Sequence, residues 1–308
     1  MFCDAAMDIA ALELFVAVVR QGSFAAVARD RNVDPSSVSR AIASLETELG
    51  ARLFQRTTRR LSPTEAGATY FARVAPLVEE IRQANAVVSD VSGRPTGTLR
   101  VTASVSFGLR CIVPLLPAFE QQYPALTVEL VLTDAVVDLV AERIDVAVRL
   151  GLLPDSTLIA QRLMPVRYRV CASPEYLARV GLPESPSEIA QHNCLLFPLV
   201  GFRSRWLFRD EEGETSEVAV KGNVVISNAI ALQQCAIAGM GLALLPHWLV
   251  DEEIKAGELV NVFPAYEITA TDFNTAAWLV YPSRTYVPLK VKVFINGLKH
   301  QCLSFATK

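Results

Sequence analysis

The sequence predicts an α/β protein of two domains joined by a long helix, and three observations carry that prediction. Its 308 residues are about twice a typical domain, and 51% of them are hydrophobic, ample for more than one buried core. The N-terminal stretch holds three apolar stripes at helical spacing, closed by a hairpin-like segment. Beyond Gly97 the pattern switches to strands alternating with helices, which argues for a mainly parallel sheet covered on both faces.

The first helix is read from Leu12, Phe15, Val16 and Val19, spaced i, i+3, i+4 and i+7, and it ends before Gln21-Gly22. Ser23 is a natural N-cap for the second, whose apolar side is Phe24, Val27 and Ala28. After a break at Arg31-Asn32-Val33, Asp34 caps a third helix with Pro35 at its first position, where the missing N–H costs nothing. Val38, Ile42, Leu45 and Leu49 form its inward stripe, and Gly50 stops it.

Ser36, Ser37, Ser39 and Arg40 are left facing outward near the start of that helix. They read either as a solvated surface or as a face that approaches DNA. Glu and Lys are the usual choice for a merely soluble helix, because Ser competes with the helical state. Small polar groups let a backbone come close to base edges, and an arginine grips phosphate or guanine. Two short helices with a tight turn between them make a helix-turn-helix. The segment Arg52–Leu61 alternates arginines with hydroxyls in an expected strand-turn-strand, and in this position it reads as a nucleic-acid wing.

From Tyr70, apolar residues recur at Val74, Leu77, Ile81, Ala84, Val88 and Val91, the 3.5-residue repeat of a coiled-coil seam. The predicted helix, Thr64 to Val91, is about 42 Å long. Pro76 lies inside it, removes the hydrogen bond to the Ala72 carbonyl and is expected to kink or break it. Gly93-Arg94-Pro95-Thr96-Gly97 reads as a hinge.

Strands are then expected at 99–102, 127–132, 146–149, 159–163, 168–172, 224–226, 242–245, 260–263 and 277–280. Helices are expected at 110–122, 136–141 and 287–298. Trp206–Phe208 and Val218–Val220 flank Asp210-Glu211-Glu212-Gly213 as a hairpin.

Phe15-Val16-Ala17-Val18-Val19, Gly22-Ser23-Phe24, Val38-Ser39-Arg40-Ala41-Ile42, Leu45-Glu46-x-Glu48-Leu49-Gly50, Leu53-Phe54-x-Arg56-Thr57-Thr58-Arg59 and Leu61-Ser62-x-Thr64-Glu65-Ala66-Gly67 stand in order. Their spacing resembles the winged helix-turn-helix of LysR-type transcriptional regulators. The C-terminal part resembles that family's effector-binding domain through Gly97-Thr98-Leu99-Arg100-Val101, Asp145-Val146-Ala147-Val148-Arg149-Leu150-Gly151 and Gly239-x-Gly241-Leu242-Ala243-Leu244-Leu245-Pro246.

The resemblance implies three parts: a DNA-binding domain at 1–66, a linker and dimerisation helix at 67–93, and an effector-binding domain at 94–308. The last would have the two-lobed fold of periplasmic solute-binding proteins, with lobe I at about 98–165 and 272–308 and lobe II at about 166–271. It also implies a homotetramer on an inverted-repeat promoter site, a cytoplasmic location, and RNA polymerase as a further partner. Met7 stands where members of the family often begin.

On this reading Ser23, Pro35, Ser36, Ser37, Ser39 and Arg40 are the expected DNA contacts of the helix-turn-helix. Arg56, Thr57, Arg59 and Arg60 are those of the wing. A ligand in an open α/β sheet binds beyond the carboxyl ends of the strands. That rule selects Ser104, Ser106 and Phe107 after the first strand, Thr133 after the second and Arg149 at the end of the third. Phe202, Asn228 and Gly239 are added from the second lobe. Hydroxyls and helix-start N–H groups suit a small anion. Ser at a strand end is also a helix cap, and Arg149 could instead pair with Asp145 or Asp134.

The expected ligand is a small organic effector, with no cofactor and no catalytic residue. There is no G-x-S-x-G, G-x-G-x-x-G or P-loop lysine motif. His192-x-Cys194 has no second ligand pair beside it, so no metal is expected. The six scattered cysteines contain no C-x-x-C pair and read as buried thiols. Residues 1–19 lack a basic start and carry Asp4, Asp8 and Glu13, an amphipathic helix rather than a signal peptide. No apolar run reaches the roughly 18 residues of a membrane span, so no membrane partner is expected.

The formal charge of −3 argues at first against nucleic acid. Counted by segment, residues 1–66 balance eight arginines against eight carboxylates, with Arg52, Arg56, Arg59 and Arg60 clustered. The acidic excess lies beyond residue 97. A solute-binding protein and a metabolic enzyme with an appended helical dimeriser remain the alternatives at this point.

Overall fold

The computed structural model describes residues 8–56, 61–91, 93–135, 137–140, 142–151, 158–199, 201–281 and 286–306. The chain divides into two compact units between Arg94 and Pro95.

The first unit consists of α1 (Ile9–Gln21), α2 (Phe24–Asp30), α3 (Pro35–Leu49), β1 (Phe54–Arg56), β2 (Leu61–Pro63) and α4 (Glu65–Val91). Each short helix is set by its ends. Asp8, Ser23 and Asp34 accept from the backbone N–H groups of Ala10, Ala26 and Ser36, satisfying donors that a helix start leaves open. Gly22 and Gly50 end α1 and α3 at φ 63° and 62°, a left-handed conformation that side chains other than Asn and Asp rarely adopt. Asn32 takes φ 52° in the turn between α2 and α3. Phe15, Val16, Val27, Val38, Ile42, Leu45 and Leu53 are buried together, and the Phe15 ring meets Phe54 and Tyr70 at 5.6 and 5.4 Å. Val19, Phe24 and Leu49 pack at the margin of this core.

Helix α4 revises the expected seam. Val74, Ala75 and Val78 are buried in the core of this unit, with Tyr70 and Phe71 packed beside them. The first part of the 3.5-residue stripe is therefore spent inside its own unit, because one apolar stripe serves equally to pack on a helical core. Leu77, 55% exposed, is the seam position left open in that stretch. The helix runs from Glu65 to Val91 through Pro76 without a break. The side chains of Val88 and Val91 lie outside the described residues.

The second unit begins with β3 (Gly97–Ala103), α5 (Val105–Phe107), a π-helical turn at Gly108–Ile112, a 3-10 turn at Val113–Leu115 and α6 (Leu116–Gln122). It continues with β4 (Leu126–Leu132), β5 (Val146–Gly151), β6 (Ile159–Pro165), β7 (Tyr168–Ala172), α7 (Pro174–Val180), β8 (Cys194–Leu196), β9 (Arg205–Arg209), β10 (Thr215–Ala219) and β11 (Val224–Val225). It closes with α8 (Ala229–Ile237), β12 (Leu242–Pro246), α9 (His247–Lys255), β13 (Val260–Asn261), β14 (Glu267–Thr269), β15 (Ala276–Tyr281) and α10 (Leu289–Ala306).

Two sheets define two lobes. The first has strand order β4-β3-β5-β15-β6, and the second β10-β9-β14-β7-β12-β8-β11 with β13 paired to β7. The chain passes from one to the other between Pro165 and Tyr168 and returns between Thr269 and Ala276. Both sheets are mixed rather than mainly parallel: β3 is parallel to β4 and β5, but β15 runs antiparallel to β5 and β6. The reason is the double crossing, which brings β15 back into the first sheet from the opposite lobe.

Two helix expectations need correction. The helix expected at 110–122 starts at Val105, capped by Ser104, and departs from regular α geometry. Pro114 and Pro117 withhold backbone donors there, and π and 3-10 turns absorb the mismatch. The helix expected at 136–141 is absent from the described residues of that segment. The neighbouring Val136 and Val137 and the Asp138 side chain disfavour a helix, while buried Leu139 anchors a turn closed by Ile144 N–H donating to its carbonyl at 2.8 Å.

The lobes are packed against each other. Phe107, Cys111 and Ile112 share one apolar core with Leu245, Trp248 and Leu249, and the Phe107 and Trp248 rings lie 5.3 Å apart edge to face. Arg110 pairs with Glu253 and donates to the Leu249 carbonyl at 3.0 Å, which also accepts from Gln233 at 2.8 Å.

Candidate functional site

The helix-turn-helix presents a polar face built on an apolar one. Val38, Ile42 and Leu45 bury one side of α3, which leaves Pro35, Ser36, Ser37 and Arg40 exposed and Ser39 half-buried on the other. The face is pre-ordered. Asp34 Oδ1 accepts from Ser36 N–H at 2.8 Å, and Arg40 Nε donates to the Ser36 carbonyl at 3.3 Å, laying the guanidinium back along the first turn. Hydrogen bonds from the Ser36 side chain and backbone, with the Arg40 charge behind them, hold the Asp34 carboxyl below the usual range. Ser23 spends its oxygen on Ala26 N–H at 3.2 Å, which leaves its O–H free to donate.

The wing is tied to α3 by Glu46. Its Oε1 accepts from Leu53 N–H at 2.7 Å and Phe54 N–H at 3.1 Å, so the chain enters β1 in a fixed direction. Thr64 clamps the other side: its hydroxyl donates to the Arg52 carbonyl at 2.7 Å and accepts from Gly67 N–H at 3.0 Å. Gly67 lies so close to the Leu53 carbonyl that any Cβ would collide with it. Arg56 lies in β1, paired with Leu61. Its side chain, together with Thr57, Arg59 and Arg60, lies outside the described residues.

In the second unit, β3 and β4 are parallel and deliver Ser104 and Thr133 to the same sheet edge. Ser104 Oγ accepts from Phe107 N–H at 3.4 Å. Thr133 N–H donates to the Ala103 carbonyl at 3.0 Å, and its hydroxyl accepts from Ala135 N–H at 3.2 Å. Ser106 is buried in the same turn. Asn228 of the second lobe caps α8, accepting from Ala231 N–H at 3.1 Å. Its amide reaches back to Asp134 at 3.5 Å. Ser104, Ser106, Thr133 and Asn228 therefore gather at one corner between the lobes.

The remaining expected ligand residues are elsewhere. Phe107 has no exposed surface and stands in the shared core. Arg149 donates to the Val137 carbonyl at 3.1 Å, and its partial burial lowers its pKa. Asp145 pairs instead with Lys290 at 2.7 Å. Phe202 packs on Tyr168 and Phe197 at 5.4 and 6.1 Å. Gly239 is left-handed at φ 74°, and its carbonyl accepts from Arg179 at 2.7 Å. The sequence reading missed the roles of Glu46, of Asp134, which it named only as a possible partner of Arg149, and of the Arg110–Glu253 pair. Glu46 stood inside a quoted motif, whereas nothing local marks the other two.

The reactive groups elsewhere are engaged in structure. His192 Nδ1 lies 3.2 Å from the Tyr176 hydroxyl, and burial pushes the thiols of Cys171, Cys194 and Cys302 up to about 12. No group of metal-ligating side chains occurs among the described residues. No single described helix is long and apolar enough to cross a membrane.

Comparison with known proteins agrees with this architecture. Residues 9–68 match the bacterial regulatory helix-turn-helix protein, lysR family, and residues 92–303 match the LysR substrate binding domain. The HTH-type transcriptional regulator CrgA of Neisseria meningitidis serogroup C (strain 8013) is 36% identical over 288 residues, 93% of this chain and 94% of that protein. The solved structure of CrgA from Neisseria meningitidis aligns with a TM-score of 0.60 at 34% identity, covering 95% of this chain and 98% of that one. The full-length Vibrio cholerae virulence activator AphB aligns at 0.59 and 28% identity with the same coverage. A capped reading helix with its wing, followed by a two-lobed effector-binding unit, thus places the chain among the LysR-type transcriptional regulators, ligand-responsive proteins that bind DNA through the helix-turn-helix.

Proposed function

We propose that this regulator binds an inverted-repeat promoter site as a dimer of dimers and switches transcription when a small organic effector enters the corner between its lobes. Residues 1–66 read the DNA, 67–93 pair subunits, and 94–308 take the effector. Pro35, Ser36, Ser37, Ser39 and Arg40 enter the major groove, Ser23 reaches a phosphate, and Arg56, Thr57, Arg59 and Arg60 grip the flanking backbone or minor groove. Pairing runs through the face of α4 that carries Leu77, Ile81 and Ala84, since Val74, Ala75 and Val78 are buried in their own core. Ser104, Ser106, Thr133 and Asn228 are the inner effector contacts. Arg149, Phe202, Gly239 and the buried Phe107 serve the structure of the lobes behind that corner.

The observation that carries the reading is the exposed Ser36, Ser37 and Arg40 surface on a helix whose opposite side is wholly committed to the core. Arg40→Ala is expected to weaken operator binding about tenfold or more, the worth of one good base or phosphate contact, while oligomer size and melting temperature stay unchanged. Unchanged affinity in a salt-controlled mobility-shift assay would reject this DNA face.

A further inference from the structure

We infer that the exposed face of α10 in lobe I is the surface on which a second copy of this chain seats the acidic turn between β9 and β10 of its lobe II. The inference rests on the dimer-of-dimers reading above and names the contact that joins one dimer to the other.

Charge is divided unevenly within the effector unit. Residues 98–272 hold thirteen lysines and arginines against twenty-one carboxylates, whereas residues 273–308 hold five lysines and arginines and no carboxylate. Val291, Phe294, Ile295, Leu298 and Cys302 bury one side of α10 in the shared core. Lys292, Asn296, Lys299 and Leu303, spaced i, i+4, i+7 and i+11, form a stripe on the other, with Leu303 59% exposed. Lys290 pairs with Asp145, but Lys292 and Lys299 make no ion pair among the described residues. Two helical turns set those lysines about 10 Å apart.

The counterpart is a built turn. Asp210, Glu211, Glu212 and Glu214 lie within five residues. Glu214 N–H donates to Asp210 Oδ1 at 2.8 Å, Asp210 N–H donates to the Glu214 carbonyl at 3.1 Å, and Gly213 takes φ 88°. Glu211, Glu212 and Glu214 are exposed and make no ion pair among the described residues. The arginines nearest in sequence are already engaged, Arg205 by Glu217 and Arg209 by Glu267. Strand β10 is the edge of the second sheet, so the turn stands at the rim of lobe II, while α10 packs on β3 and β6 of lobe I.

Like charges held on one rigid turn repel each other, and a facing surface of opposite sign relieves that repulsion. Opposite charges on two rims also steer them together and fix their register. The wing arginines, the chain's other basic cluster, are committed to DNA on the reading above. That leaves the lysine face of α10 to receive the turn.

The test is sedimentation velocity of the full-length protein in about 0.05 M and about 0.5 M sodium chloride. The native chain should pass from tetramer to dimer as salt rises. Lys292→Glu with Lys299→Glu, or Glu211→Lys with Glu212→Lys, should each raise the tetramer dissociation constant about tenfold or more at low salt, with the melting temperature unchanged. In an equimolar mixture of the two reversed chains each acidic helix meets a basic turn and each native turn a native helix. The mixture should return to within about threefold of the native constant, a recovery that a contact inside one chain does not give. A tetramer indifferent to both reversals, or a mixture no tighter than its parts, would overturn the contact and leave the dimer of dimers intact. Loss of duplex-DNA affinity by the lysine reversal at unchanged oligomer size would assign α10 to DNA and overturn the contact as well. A native chain that stays dimeric at both salt concentrations faults the assembly reading itself, and the contact with it.

Discussion

The two units of this chain build their working surfaces by opposite routes. In the DNA-reading unit nearly every functional or supporting contact is local: Asp34 on Ser36, Arg40 on Ser36, Ser23 on Ala26, Thr64 on Gly67. In the effector unit the corner is assembled from residues 29 and 94 positions apart, and the lobes behind it are joined through Arg110 and Glu253, 143 apart. A local surface is written as a motif. An assembled one is written only as a fold, so its chemistry can change at one position without disturbing any pattern in the sequence.

The largest expected effects would break the comparison at the level of cores. Phe15→Ala should cost about 3–5 kcal/mol and abolish DNA binding, with the melting transition of the effector unit unmoved. Phe107→Ala should cost a similar amount, about 3–5 kcal/mol, but loosen both lobes together, since its ring packs on Trp248 across them. Two separate transitions in calorimetry for the lobes of Phe107→Ala would show that the shared core is not cooperative.

A middle-sized effect sharpens the local side. Glu46→Ala strips the acceptor from two backbone N–H groups and is expected to destabilise the N-terminal unit by about 1–3 kcal/mol, measured by denaturant titration. Glu46→Gln keeps a neutral acceptor and should lose less. Equal losses would mean that the charge, not the hydrogen bonds, holds the wing.

The smallest effect separates the units by pH. All three histidines, His192, His247 and His300, lie in the effector unit. Burial pushes His247 and His192 below the ordinary value of 6.5, although backbone and carboxylate neighbours pull part of the way back. Protons then bind the unfolded chain first, so stability falls as pH drops from 6.5 toward 5.5. The melting temperature of the effector unit should decline over that window and that of the DNA-reading unit should not. A decline of equal size in both would contradict the assignment to histidine.

The same contrast governs how much could be read from the residues alone. The cap at Ser23, the Asp34-Pro35 start and the glycine stops at Gly22 and Gly50 all fall where local chemistry places them, because each is decided within one helical turn. The seam was over-read, since a stripe that packs inward and one that packs on a second chain share the same spacing until the neighbours are known. The sheets were taken as parallel because alternation reports the order of elements and not the lobe to which a strand returns. At the corner, Ser104, Thr133 and Asn228 followed from the rule about strand ends. Asp134, one residue beyond Thr133, was named only as a possible partner of Arg149, because its partners, Val105 and Asn228, come from two other segments.

One feature of the first unit has mechanical weight. Because Val74, Ala75 and Val78 are buried in the same core as Val38 and Ile42, the base of α4 and the reading helix are welded into a single piece. The far part of α4 is then a lever arm and not a tether. A rod of 27 residues is about 40 Å long, and a tilt of about 5° at one end swings the other by about 3.5 Å, close to the rise of one base pair. On the pairing proposed above, a change of angle too slight to alter the packing of any core would move the reading head by one step along the DNA.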